Sequence, residues 1–529
     1  MSARLQDKKW LFLLPLGGIL TGLCLVFPKI GFLQWISMVP ALCWLFSRDT
    51  SAKWRPGRLY GAGALYFLSY YLVIYHWFFY LYPMTFAGVT KGEAAVLVLI
   101  CWLGLSLLQT VFSSLIFPLF GALVRTRVMR KWGVLVPFLF AMQYVVAEWG
   151  QTFTWMGVPW ARLPLGQLES GFFLNSASLF GSYFLTLALV CVNALVAWCM
   201  LHTDRLRFCA IATASVLVVS ATAGAIGLAV NKTDRGEAIV VAAVQGNVGT
   251  SEKWSQASNE KTYAVYERYT AEAAARGATV VVFPETFLPY SLTHTGATGT
   301  FVKRLAAEYN VTILCGAFHT DDTGEYNAMF TVYPNGEIDE TVYAKRRLVP
   351  FGEHVPWRPV IEFLIPPLAS MGMLADDLTP GTDSAIVDAP FGRVGGLICF
   401  DSIYEALTLQ SVRDGAQILV LPTNDSWFTD SAGVRMHLGQ ARLRAIESGK
   451  WIVRSADTGI SAVIDPDGNT YDEIPALEPG VSIATAYVSD ARTLYSYIGN
   501  LIVYLMIAAL LALPASELAL WYRQKRKAE

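Results

Sequence analysis

Charge is what this sequence has least of. Aspartate, glutamate, lysine and arginine make up 15% of 529 residues, against about a quarter in an ordinary soluble domain. Forty basic and 41 acidic side chains leave a formal charge of −1. That balance excludes a chain kept disordered by self-repulsion and gives no overall field to attract nucleic acid, so no nucleic-acid partner is expected. Histidine is scarce, six in all, and no cluster of histidines and cysteines stands at metal-ligand spacing, so no metal and no cofactor are expected. Of eight cysteines, only Cys315 and Cys399 stand in the more polar part of the sequence. That is too few for a disulfide framework, although a single bridge between them stays open. Internal repeats and low-complexity tracts are absent.

What is present is apolarity, 54% hydrophobic residues with a mean hydropathy of +0.42, and it is unevenly distributed. Between Leu59 and Val124 the only charged residues are Lys91 and Glu93, whereas from Glu237 to Asp490 charges recur every few positions. About 20 apolar residues cross a bilayer as a helix. Seven such stretches precede the polar region: Trp10–Phe27, Ile30–Ser47, Leu59–Tyr80, Ala94–Val124, Trp132–Ala147, Gly171–Leu201 and Phe208–Val230. An eighth, Tyr497–Tyr522, follows it. Trp132–Ala147, with 16 residues, is the weakest and could be re-entrant. Buried helices of a large soluble core are the alternative.

Basic residues collect at the cytoplasmic ends of spans. With eight spans and the N-terminus inside, 17 lysines and arginines in five groups (within 4–9, 48–58, 125–131, 205–207 and 523–527) face the cytoplasm, against Lys29, Lys91 and Arg162 in the short opposite loops. Both termini are then cytoplasmic and the polar region lies outside, in the periplasm of a Gram-negative cell. The first stretch resembles a signal peptide but lacks a cleavage site; in Leu20-Thr21-Gly22-Leu23-Cys24 a leucine stands where a small residue should precede the cysteine, so a retained anchor is expected. The expected division is 1–236 as a membrane domain, 237–490 as an exported α/β domain, and 491–529 as a last span with a basic tail.

In the exported part, apolar β-branched runs at Ala238–Val244, Thr279–Phe283, Val311–Phe318, Val394–Cys399 and Gln417–Leu421 predict strands buried on both faces. Between them lie helix patterns: Ser258 (as cap) to Arg276 before Gly277, Phe301–Tyr309 before Asn310, Tyr404–Arg413, and Met436–Ser448 before Gly449. A hairpin is expected over Ala328–Val342, turning at Pro334-Asn335-Gly336.

Functional groups in such sheets gather beyond the carboxyl ends of strands, and three chemically complementary residues fall there. Glu285 follows Val280–Pro284, Lys345 follows Thr341–Ala344, and Cys399 ends Gly395–Ile398. A cysteine nucleophile needs a base or a cationic field; a glutamate can move its proton; a lysine, with backbone N–H groups after the cysteine, can hold an oxyanion. Glu353 could orient the lysine. Each has an ordinary alternative: core for Cys399, a helix cap for Glu285, a solvated loop for Lys345. Cys315 is expected to be core. His76 and the aromatic run Tyr66–Tyr82 suggest an interfacial belt rather than a proton relay.

At these residues the sequence resembles the apolipoprotein N-acyltransferases, membrane members of the carbon–nitrogen hydrolase (nitrilase) superfamily. The similar strings are Phe283-Pro284-Glu285-Thr286, Leu348 to Pro356, Leu397-Ile398-Cys399-Phe400-Asp401, and Thr423-Asn424-Asp425-Ser426-Trp427-Phe428. Further ones are Gln440-Ala441-Arg442, Arg444-Ala445-Ile446-Glu447, Thr458 to Ala462 and, in the membrane part, Gly157-Val158-Pro159-Trp160. The resemblance implies an αββα sandwich inserted before the last of eight transmembrane helices. It implies Glu285 as general base, Lys345 as oxyanion-stabilising cation, Cys399 as nucleophile and Glu353 as support, with Phe400 and Asp401 also near the site. Trp254, Asn424 and Trp427 are implied to meet substrate. After the cysteine the family usually has Tyr-Glu; here Phe400-Asp401 stand.

The implied reaction moves an acyl chain from a phospholipid to the α-amine of a diacylglyceryl-cysteine at a lipoprotein N-terminus, through a thioester, in the bacterial inner membrane. A monomer is expected. The alternatives are a membrane-anchored amidase of the nitrilase type and a transporter carrying an inactive nitrilase-like domain. Scarcity of charge within the spans argues against transport.

Overall fold

The structure, a computed structural model, describes residues 8–48, 55–84, 89–153, 156–231, 233–249, 256–293, 295–364 and 377–528. The chain divides into two compact units: residues 1–76, 100–229 and 498–529 form one, and residues 77–99 and 230–497 the other.

The first unit is all helix. With the helices that continue from it, seven described helical runs are long and apolar enough to cross a membrane: Pro28–Phe46, Pro56–Leu81, Lys91–Leu123, Gly133–Gly150, Ser182–Leu201, Thr203–Val230 and Leu501–Lys527. Two differ from expectation. Trp10–Val26 is a shorter apolar helix. The Gly171–Leu201 stretch is not one helix, because Gly181 takes a φ of 76° that ends the Ala177–Phe180 turn before Ser182–Leu201 begins. The weakest expected span runs on to Gly150, bringing Glu148 into the helix, where it is buried and accepts from the Leu163 N–H at 2.9 Å and the Thr186 hydroxyl at 2.6 Å. Arg162, expected in an exposed loop, is fully buried with its guanidinium 4.4 Å from the Tyr183 ring centre. Helices approach through small residues: a Cβ on Gly18 would stand 2.2 Å from the Tyr66 carbonyl oxygen.

The second unit holds two six-stranded sheets. Its strands are β1 Glu237–Gln245, β2 Val280–Val282, β3 Thr312–Asp321, β4 Gly324–Val332, β5 Tyr343–Ala344, β6 Val387–Ala389, β7 Gly392–Gly396, β8 Ile418–Thr423, β9 Ile452–Ala456, β10 Ser461–Ile464, β11 Thr470–Ile474 and β12 Gly480–Val488. The orders are β12-β1-β2-β3-β4-β5 and β11-β10-β9-β8-β7-β6. β1, β2 and β3 run parallel, as do β7, β8 and β9.

Side chains alternate across a strand, and this explains the layers. Val241, Ala243, Val280, Val282 and Leu314 meet Val394, Ile398, Ile418, Val420 and Val453 in a core between the sheets. The intervening Ala242, Val244, Val281, Ile313 and Cys315 pack on Tyr266, Ala273, Val302 and Leu305 of the Gln256–Ala275 and Ala297–Tyr309 helices. The Glu405–Arg413 and Ala432–Ser448 helices contact the second sheet, at β7 and at β9–β10. The result is a four-layer αββα sandwich.

Helix stops fall where glycine or asparagine can turn left-handed: Gly277, Asn310 and Gly449 have φ of 88°, 51° and 69°. The first helix already includes Gln256, so Ser258 lies within it and does not cap it. The Pro334–Gly336 turn forms, but beyond a single Val332–Ile338 bridge the ladder resumes only at β5; the long hairpin is instead β3–β4.

Candidate active site

The ends of β2, β5, β7 and β8 converge on one polar cluster buried between otherwise apolar layers. Glu285 sits three residues past β2, 4% exposed. Its loop lies tight on β3, where a Cβ on Gly316 would stand 2.6 Å from the Glu285 Cα. Lys345 follows β5 directly, and its N–H donates to the Asn327 carbonyl at 2.8 Å, which registers it beside β4. Cys399 opens a single 3₁₀ turn after β7, with a φ of 48° that a β-carbon tolerates poorly. Its carbonyl accepts from the Ser402 hydroxyl at 2.7 Å and lies 3.2 Å from His437 Nε2.

Lys345 is 1% exposed and donates to Glu285 Oε1 and to the Glu353 carboxylate, each at 2.9 Å. Burial alone would lower its pKa, but Glu285 and Glu353 outweigh it and hold the ammonium well above the ordinary lysine value. The Asn327 amide bridges the two carboxylates, donating at 2.6 Å to Glu285 and 2.8 Å to Glu353. Glu285 Oε2 accepts from the Asn424 backbone N–H at 2.7 Å, and Glu353 Oε2 from that of Val349 at 2.8 Å. Burial, reinforced by the Glu285 charge, pushes the Cys399 thiol up against the opposing pull of Lys345, so it is protonated at neutral pH. A thiol, a carboxylate and an ammonium gathered in this way can pass a proton, form a thioester and hold an oxyanion.

Asp401 ties the cysteine turn to the lysine strand. One carboxylate oxygen accepts from the Arg346 and Arg347 N–H groups at 3.2 and 2.8 Å, the other from the Tyr343 hydroxyl at 2.9 Å and the Ile398 N–H at 3.1 Å. Phe400 packs edge-on to Tyr404 at 5.6 Å. Asn424 has its backbone N–H on Glu285 and its side-chain oxygen on the Ser426 N–H at 3.2 Å, and Trp427 is half-buried on the next turn. Trp254 lies outside the described residues.

Asn327, His437 and Arg454 escaped the sequence reading, and the part played by Asp425 was not foreseen. Behind Cys399, Asp425 accepts from Arg454 at 2.7 Å and lies 2.8 Å from His437 Nδ1. Burial alone would raise its pKa, but Arg454 and His437 hold the carboxylate below its usual range. The donor atoms of Cys399, Asp425 and His437 lie within 4.8 Å of one another, a grouping that chain spacing hid. With a guanidinium on the same carboxylate, and His437 already engaged at both nitrogens, a cation there would meet fixed positive charge. The arrangement is a hydrogen-bonded brace. Arg444 and Glu447, from the similar strings, form a buried pair at 2.8 Å. Among these residues the only advance signal was polarity inside apolar strands, as at Asn327 and Arg454.

Comparison with known proteins finds two family matches along the chain. Residues 240–495 match the carbon-nitrogen hydrolase family, and residues 17–195 match the apolipoprotein N-acyltransferase N-terminal domain. An apolipoprotein N-acyltransferase of Geobacter metallireducens is 28% identical over 505 residues, 93% of this chain and 92% of that one. Another, of Gloeobacter violaceus, is 29% identical over 511 residues, covering 94% and 92%. Among solved structures, an amidase from Nesterenkonia sp. superposes with a TM-score of 0.37 at 16% identity, covering 49% of this chain and 94% of that one. With both domain models matched in order over most of its length, and with relatives aligned nearly end to end, the chain belongs to the apolipoprotein N-acyltransferases.

Proposed function

We propose that Glu285, Lys345 and Cys399 carry lipoprotein N-acylation as a Glu-Lys-Cys triad, with Glu353 as support. Glu285 takes the Cys399 proton as the sulfur attacks the ester carbonyl of a phospholipid. The oxyanion forms beside the Lys345 ammonium. Collapse breaks the C–O bond, and Glu285 returns the proton to the departing lysophospholipid oxygen. The neutral α-amine of a diacylglyceryl-cysteine then attacks the thioester, Glu285 takes its proton, the C–S bond breaks, and the sulfur is reprotonated. An α-amine of pKa about 7.7–8.0 is partly neutral near pH 7. The single observation that carries this reading is Lys345, buried and bonded at 2.9 Å to two carboxylates beside a protonated thiol. Asn424, whose hydrogen bonds run to Glu285 and Ser426 and whose carbonyl lies 4.0 Å from the Cys399 sulfur, fits positioning better than lipid contact; Trp427 and Trp254 remain candidates for lipid contact.

The reading extends to the membrane: eight spans with Trp10–Val26 as the first, residues 1–236, 237–490 and 491–529 as the three regions, the α/β region periplasmic, both termini cytoplasmic, and a monomer in the bacterial inner membrane. Five helices support the alternation. Phe46, Leu59, Val124, Val136 and Leu201, at an end, a start, an end, a start and an end in chain order, all border one cavity. A nitrilase-type amidase would have no need of the matched N-terminal domain.

Incubation of the purified protein with phospholipid should leave a fatty acyl adduct on Cys399 detectable by mass, absent in Cys399→Ala. Addition of a diacylglyceryl peptide should move it to the peptide amine. An adduct elsewhere, or release only as free fatty acid, would overturn the proposal.

A further inference from the structure

A cavity of about 860 Å³ lies in the helical unit, away from the candidate triad in sequence and chemistry. That volume is within the roughly 300–1,000 Å³ of ligand sites. Arg48, Arg55, Arg58, Arg125 and Arg130 border it, and no carboxylate is among its described lining residues. Its other wall is apolar, with Leu59, Phe120 and Val124 buried there.

Two further observations point to an anion as the ligand. Arg48 lies over the Trp44 ring, 4.0 Å from its centre, and burial together with the Arg58 charge lowers its pKa to about 10, the mark of like charges held close in a partly dry place. Trp44, 3% exposed, lines the same cavity, and its buried indole N–H has no hydrogen-bond partner among the described residues. Orphaned buried donors are uncommon and call for a reason. The insertion rule alone would be met by arginines in solvated loops; it does not require five of them around one apolar-walled cavity with a spare donor.

Guanidinium groups match phosphate geometry, and basic pockets between helices on the cytoplasmic side take anionic headgroups. We propose that this cavity binds the phosphate headgroup of an anionic membrane phospholipid, its acyl chains running along the apolar wall. This rests on the membrane-spanning reading and not on the triad.

Native mass spectrometry of the full-length protein, titrated with phosphatidylglycerol, phosphatidylcholine or inorganic phosphate, tests it. Phosphatidylglycerol should bind about tenfold more tightly than phosphatidylcholine. Arg48→Gln/Arg125→Gln should lose that preference, Trp44→Phe should weaken it about threefold at unchanged melting temperature, and Cys399→Ala should keep it. Equal binding of the two lipids, or an unaffected arginine variant, overturns the proposal; so does displacement of the lipid by millimolar phosphate, which would assign the site to a soluble anion. Should the arginine variant fail to fold, a headgroup-photoreactive phosphatidylglycerol on the native protein decides: adducts are expected on 44–48 and 125–136, and adducts confined elsewhere overturn it. Loss of preference in Cys399→Ala would trace the lipid to the triad instead.

Discussion

Lys345 has to stay charged out of water, and removing an ammonium from water costs several kcal/mol unless partners compensate. Glu285, Glu353 and the Asn327 amide are those partners. Lys345→Met leaves two buried carboxylates facing each other, and the expected cost is ~3–5 kcal/mol of stability, read by thermal unfolding, with no acyl adduct. Lys345→Met/Glu353→Gln should recover much of the stability and none of the acylation, which separates the structural from the chemical part of the lysine. Cys399 yields a second expectation. Because burial and Glu285 raise its pKa, the thiolate is the minor form throughout the neutral range. Iodoacetamide modification of the substrate-free protein should therefore climb with pH to at least 9 with no plateau. A plateau near pH 7 would indicate a preformed thiolate and exclude Glu285 as its base. At this scale the sequence is legible where a reactive residue ends an apolar run, as with Glu285, Lys345 and Cys399. It says little of Asn327 and nothing of His437, because a lone polar residue in a strand or helix carries no periodicity, and only the fold reveals that its partners are carboxylates 42 or 12 residues away.

Neighbouring positions on β3 show how an element divides its labour. Cys315 points into the helix-facing core with Ile313 and Phe330, and Gly316 turns to the loop that carries Glu285. Cys315→Ala removes apolar contact only, so a loss of ~1 kcal/mol with acylation retained is expected. Gly316→Ala sets a methyl 2.6 Å from the Glu285 Cα and 2.8 Å from the Pro284 oxygen, both backbone, so the Glu285 loop must shift. Overpacking of this kind costs ~1–3 kcal/mol, and the acylation rate should fall further than stability does, measured by single-turnover adduct formation alongside melting. The reverse ranking of the two variants would place the sensitive face of β3 on the wrong side. The apolar strands and the glycine-stopped helices were readable from composition. The second sheet's β9 and β11 were less so, because Arg454 and Asp472 interrupt their apolar pattern and belong to hydrogen bonds with Asp425 and the Ile483 N–H on other elements.

For the molecule as a whole, orientation follows from where cations sit rather than from any contact. Basic residues resist transfer across the membrane during insertion, and 17 of them fall on one side of the proposed path against three on the other. The structure alters that balance at Arg162, which is buried over Tyr183 instead of sitting in a loop, and so cannot act as a free surface charge; its removal from the opposite side strengthens the asymmetry. The helix count is hard to read from the sequence, since Trp10–Val26 falls near the lower limit of about 17 residues for a span and Gly181 divides one of the two longest expected stretches. Helix count and orientation are linked, because dropping the last span would put the exposed Glu478 and the exposed Lys525 on the same side of the membrane, and dropping an earlier one would exchange their sides. In intact cells, Glu478→Cys should react with a membrane-impermeant maleimide, and Lys525→Cys should react only after permeabilisation. Reaction of Lys525→Cys in intact cells would remove the last span from the count, and protection of Glu478→Cys with full reactivity after lysis would put the triad in the cytosol, where no exported lipoprotein terminus could reach it.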